Sequence, residues 1–210
     1  MAEAGLPTPA WSADGRGLSG RVIVKSVAEH ASLGIDAGSV VAADTAPAEI
    51  ARRAEAYGGA FFAEAYVHGR EFNLSILDGA VLPPAEIEFL DFDTEAPRIV
   101  GWEAKWAESS AAYANTPRRF GFPGRDAGLL AKLTRLAERA WALFDLDGYA
   151  RIDFRVDGAG RPWILEVNAN PCITPDAGFA AAAEVAGLDY GGLVERIARA
   201  GLAGRRAAAA

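Results

Sequence analysis

Between Tyr149 and Asn168 apolar and polar residues alternate with a period of two. Ile152, Phe154 and Val156 interleave with Arg151, Asp153 and Arg155, then Trp163, Leu165 and Val167 with Ile164, Glu166 and Asn168. The small, turn-forming run Asp157 to Gly160 lies between them, so the pattern predicts two strands joined as a hairpin. A four-residue loop places Val156 opposite Arg161 and Arg151 opposite Glu166. Ile152, Phe154, Val156, Trp163, Leu165 and Val167 then share an apolar face, and Arg151, Asp153, Glu166 and Asn168 share the other, because a period of two allows no other sorting.

The rest of the chain reads as further strands and amphipathic helices. Arg21 to Lys25, Ser39 to Ala43 and Ala60 to Tyr66 have strand character, and Leu74 to Ile87 reads as antiparallel strands around the Asp78-Gly79 turn. Pro47 to Gly58 is a helix with proline at its start and glycine at its stop. Asp126 to Phe144 presents Leu129, Leu133, Leu136, Ala140 and Phe144 on one side, with Leu130, Ala137 and Trp141 beside it. Ala177 to Ala186 and Tyr190 to Ala200 read as covering helices. Phe89 to Pro123 lacks periodicity and reads as a long ordered loop, and the tail Gly201 to Ala210 is expected to fray, with residues 203–210 disordered.

Composition narrows the classes. With 210 residues, 51% hydrophobic and 23% charged, the chain can bury a core as an ordinary soluble globular protein. A net charge of −7 argues against nucleic acid as the main partner. No apolar run is long enough for a membrane span, and the start MAEAGLPTPAWSADGR lacks the features of a signal peptide, so the cytoplasm is the expected compartment. Cys172 is the single cysteine, which excludes an internal disulfide.

The polar hairpin face carries the chemistry. Two carboxylates and an amide oxygen at strand ends suit a hard divalent cation, and Mg²⁺ uses one or two carboxylates and leaves its other positions to phosphate and water. The alternative is an exposed face closed by ion pairs such as Arg151 with Glu166. His68 reads as an exposed residue between strands, and His30 has no partner that the sequence names.

The order R-x-D, a turn, then L-E-x-N-x-x-P resembles the ATP-grasp superfamily, and within it the ligases related to D-alanyl-D-alanine ligase. The resemblance implies an α+β, ATP-grasp fold: two α+β lobes, residues 1–67 and 68–202, whose antiparallel sheets grip the nucleotide between them. It implies that Asp153, Glu166 and Asn168 hold magnesium, with manganese as the alternative, and that Arg151 stabilises charge on a phosphorylated acyl intermediate. The strand RVIVK and its loop resemble the family's phosphate-binding flap, which assigns Lys25 to the phosphates of ATP. AFFAEAYVHGREF resembles the segment joining the lobes, where Glu64 and backbone near Val67 face the adenine and Glu71 binds the ribose. W-E-A-K-W resembles Y-E-A-K-Y, whose lysine, here Lys105, contacts the transferred phosphate.

The implied activity is ATP-dependent amide formation between amino acids or peptides through an acyl phosphate. Hydroxyls of the D-alanyl-D-alanine ligase pattern are absent at Ala31, Trp106 and Ala177, and a glycine is replaced by Cys172, so the substrates are expected not to be two D-alanines. Cys172 is expected to pack, not to act as a nucleophile. Full-length relatives carry a further N-terminal domain. Its absence here leads to the expectation of a separate chain supplying it, and a homodimer is also allowed. The competing reading is a truncated, non-catalytic ATP-binding or partner-binding module.

Overall fold

The computed structural model describes residues 1–28, 32, 34–92, 96–102 and 109–208, with side chains as far as Leu202. The chain forms two compact units, each assembled from separate stretches. The smaller holds Pro9–Gly69 and Glu88–Pro117, and the larger holds Met1–Thr8, Arg70–Ile87 and Arg118–Ala210. Among the described residues no helix is long and apolar enough to cross a membrane.

In the smaller unit β1 (Trp11–Ser12), β2 (Arg21–Ser26), β3 (Val40–Ala42) and β4 (Phe61–Ala65) form a sheet in the order β1-β4-β2-β3, with every pair antiparallel. Helix α1 (Ala46–Tyr57) begins with Pro47 in its first turn and ends at Gly58, whose φ of 74° suits glycine. Val22, Val24, Phe61 and Ala63 turn one face of the sheet to Ala46, Ile50 and Ala54 of α1. The alternation that buries Val22 and Val24 sends Ile23 and Lys25 to the opposite face.

In the larger unit β5 (Gly69–Leu77), β6 (Ala80–Val81), β7 (Ala85–Ile87), β8 (Arg118–Arg119), β9 (Tyr149–Asp157) and β10 (Pro162–Asn168) form a sheet in the order β10-β9-β5-β7-β8, with β6 on β5. The segment expected as one long loop thus supplies β8, and also the short helix α2 (Ala111–Ala114). Asp78 and Gly79 both have positive φ, as the tight β5–β6 turn requires. Helix α3 (Ala127–Leu143) lays Leu133, Leu136, Ala137 and Ala140 on Phe72, Leu74, Ile76, Ile152, Phe154 and Ile164. Phe144, expected on that apolar side, is instead the exposed C-cap of the helix. On the other sheet face Leu77 and Tyr149 meet α4 (Gly178–Val185) and α5 (Tyr190–Ala208). The backbone of α5 stays helical to Ala208, across most of the tail expected to be disordered.

The hairpin departs from the expected register. Pro162 pairs with Val156 and Ile164 with Phe154, after which Glu166 pairs with Asp153 and Asn168 with Arg151. Two residues advance on β10 against one on β9, so Leu165 is the extra residue of a β-bulge. Before the bulge Ile164, and not Trp163 or Leu165, faces the core; Trp163 lies across from Arg155 and donates its indole N–H to Asp157 at 3.2 Å. After the bulge Val167 packs on the core and the polar residues share the opposite face, as the alternation had indicated.

Candidate functional site

In a regular strand Glu166 and Asn168 would follow Ile164 onto the core face. The bulge at Leu165 turns them over and sets them beside Asp153 and Arg151. The guanidinium of Arg151 donates through Nε and Nη2 to Oδ1 and Oδ2 of Asp153, at 2.7 and 2.8 Å. Arg151 is thus paired with its own strand neighbour two residues on. The attraction of Asp153, with contributions from its hydrogen bonds and from Glu166 and Glu71, raises the pKa of Arg151 against the opposing cost of burial. Arg151 stays cationic.

Strand β5 contributes two more groups to this face. Asn73 donates from Nδ2 to Oδ1 of Asp153 at 2.8 Å, and Glu71 accepts from Nε and Nη2 of Arg155 at 3.0 and 2.6 Å on Oε2. Asn73 and Arg155 had not been singled out from the sequence, although alternation along Gly69–Leu77 already sets Asn73 on the same face as Glu71. A carboxylate has about four acceptor sites. Asp153 uses both on Oδ1 and one on Oδ2 for Arg151 and Asn73, leaving one Oδ2 lone pair for a further ligand. Asn168 accepts the backbone N–H of Asn170 on its amide oxygen at 3.0 Å.

In the smaller unit Lys25 and Glu64 lie on the sheet face opposite α1, with Nζ 2.6 Å from Oε1. Glu64 is almost fully buried, and burial raises its pKa above the usual carboxylate value while Lys25 opposes the rise. Val67 is half-buried in the irregular connection between β4 and β5, and the exposed His68 ring lies tilted by 57° to that of Tyr66, with centroids 6.4 Å apart. The structure thus brings Arg151, Asp153, Glu166, Asn168 and Glu71 onto one face of the larger unit, and pairs Lys25 with Glu64 in the smaller. Lys105, Trp106, Ala31 and His30 lie outside the described residues. Ala177 is a buried N-cap without a side-chain bond, and Cys172 is exposed, not packed, with Sγ 3.2 Å from Oγ1 of Thr174.

A protein-family model described as the D-ala D-ala ligase C-terminus matches residues 16–199. The chain belongs to this family. Among curated relatives, D-alanine--D-alanine ligase of Methylococcus capsulatus is 35% identical over 208 residues, covering 92% of this chain and 61% of the relative. A Synechococcus D-alanine--D-alanine ligase is 31% identical and covers 92% and 59%. The chain therefore spans about three fifths of the length of these relatives. Among solved structures, a D-alanine--D-alanine ligase from Bacillus anthracis complexed with ATP superposes with a TM-score of 0.71 at 21% identity, covering 98% of this chain and 64% of that one. The fold is ATP-grasp, as the resemblance implied. The polar stripe and the Lys25–Glu64 pair both fall inside the matched family segment.

Proposed function

We propose that this chain is the nucleotide- and metal-binding part of an ATP-dependent carboxylate–amine ligase, joining amino acids or peptides through an acyl phosphate. The observation that carries this is the bulge-driven convergence of Asp153, Glu166 and Asn168 beside a buried, protonated Arg151. The donor set fits magnesium: two carboxylates and an amide are hard oxygen ligands, too few to fill an octahedron, which leaves room for phosphate oxygens and water. Manganese suits the same oxygens. The ion, when bound, would neutralise phosphate charge.

In this reading Asp153 gives its remaining Oδ2 lone pair to the ion, and Arg151, held rigidly by Asp153, offers its outer N–H groups to the transferred phosphoryl group. Lys25 faces the phosphates with its ammonium fixed by Glu64 Oε1, while Glu64 Oε2 and backbone near Val67 take the adenine amino group. Glu71, oriented by Arg155, accepts from the ribose hydroxyls, and Lys105 contacts the transferred phosphate. Such a site works by positioning and charge neutralisation, which dominate phosphoryl transfer. The comparisons give no support to substrates other than two D-alanines, so D-alanine heads the panel of acids and amines to assay.

Calorimetric binding of Mg·ATP to the unaltered chain and to Glu166→Gln tests this reading. The unaltered chain should bind, and the variant should lose about tenfold or more in affinity, the usual range for disturbing a metal site, with an unchanged melting temperature. Equal affinities for both chains would remove the metal assignment. ADP release that depends on an added amino acid would then separate a ligase from a chain that only binds nucleotide.

A further inference from the structure

Arg53 of α1 is fully buried and lies outside the hydrophobic cluster that α1 forms with the sheet. Its guanidinium spends every arm on fixed acceptors. Nε donates to Oε1 of Glu49, Nη1 to the carbonyl of Gly34, and Nη2 to Oδ1 of Asp36 at 2.8 Å. Two of these acceptors lie on the loop that follows Lys25, and the ring of Tyr57, also on α1, covers Gly34. Gly34 has a φ of 67°, so the turn that presents its carbonyl to Arg53 strongly favours glycine.

The same loop holds a second one. Ile35 accepts the backbone N–H of Trp102 at 3.2 Å, and Ser32 donates its hydroxyl to the carbonyl of Val100 at 2.9 Å. Gly101 lies so close that a Cβ there would come within 2.7 Å of the Ile35 carbonyl oxygen. Lys105 follows three residues after Trp102 in the sequence.

We propose that Arg53 is a positioning residue: it fixes the 34–39 arm of the loop after β2 to α1 and, through Ile35, the segment 100–102, so that these two segments are held in one arrangement before ATP binds. This rests on the functional reading above. A buried guanidinium satisfied by a carbonyl and two carboxylates imposes one geometry, because a shift of the loop strips Nη1 and Nη2 of their acceptors inside the protein and leaves Glu49 holding Nε alone. A lysine in its place would be one compact cation without the planar fork.

The test uses the full chain and compares unaltered protein with Arg53→Met and Gly101→Ala, reading backbone amide exchange by NMR and Mg·ATP affinity by calorimetry. Arg53→Met should speed exchange of the Ile35 and Trp102 amides and weaken Mg·ATP by about tenfold, the size expected for a residue acting through its neighbours, while the β2–β4 ladder amides stay protected. Gly101→Ala leaves Arg53 intact and should reproduce the Trp102 effect and the weaker affinity, so the proposal can still fail if Arg53→Met does not fold. Unchanged Trp102 exchange, or unchanged affinity despite faster exchange, in a folded variant overturns it. Failure of the unaltered chain to bind Mg·ATP would instead sink the functional reading and with it the role in ATP binding, leaving the exchange result to report the clamp alone.

Discussion

Lys25 and Glu64 show how a single residue is tied to both stability and chemistry. Glu64 is buried and Lys25 partly so, and removing Lys25 strands the buried carboxylate. Lys25→Met should therefore cost roughly 3 kcal/mol in thermal or urea unfolding. The pH dependence has a definite sign. The folded-state pKa of Glu64 is already raised by burial, and Lys25 is the group that opposes the rise, so the variant raises it further. A raised carboxylate favours the native state when protonated, and that advantage is lost as pH climbs through the folded pKa. The melting deficit of Lys25→Met should thus be larger at pH 8 than at pH 5, and adding Glu64→Gln should remove most of the difference. A pH-independent deficit would mean that Glu64 is not the group left stranded. Both residues were legible in the sequence as candidates. Their direct contact was not, because it depends on the diagonal placement that the antiparallel β2–β4 register creates.

At the scale of elements, the β9–β10 hairpin switches β10 from presenting Ile164 to the core to presenting Glu166 and Asn168 on the polar face halfway along its length. Leu165 does this by occupying one extra position, and its side chain is secondary. Deleting Leu165 should return Glu166 and Asn168 to the core face, where each unpaired polar group costs about 1–3 kcal/mol, and should abolish Mg·ATP binding in calorimetry. Leu165→Ala should keep most of the affinity, and a deletion that binds as well as the unaltered chain would refute the role given to the bulge. The alternation in the sequence sorted the polar residues correctly while misplacing Trp163 and Leu165. The physical reason is that Ile164-Leu165 can supply a core residue in either phase, and only packing against Phe154 decides which one it is. The turn itself is held by Asp157, which accepts the backbone N–H groups of Ala159 and Arg161 at 3.0 and 2.9 Å and so starts β10 in the observed phase.

At the scale of the whole molecule, each unit carries a hydrophobic cluster of its own: Val22, Val24, Phe61 and Ala63 under α1 in one, and the α3 cluster in the other. Leu133 is fully buried in the latter, so Leu133→Ala should cost about 2–5 kcal/mol, and in scanning calorimetry the loss should fall on the larger unit's transition while the smaller unit's remains. A single transition that shifts as a whole would show that the units unfold as one. The sequence by itself determined the types of the longer strands and helices, the helix limits at Pro47, Gly58 and Asp126, the polar hairpin set and the family, because periodicity, caps and a spaced motif are local properties. Tertiary structure decided the rest. It assigned Asn73 to Asp153 and Arg155 to Glu71, placed Leu165 in a bulge and buried Arg53 against the Gly34 turn. Each of these depends on which strand or loop lies alongside, and residue spacing along one chain does not encode that neighbour.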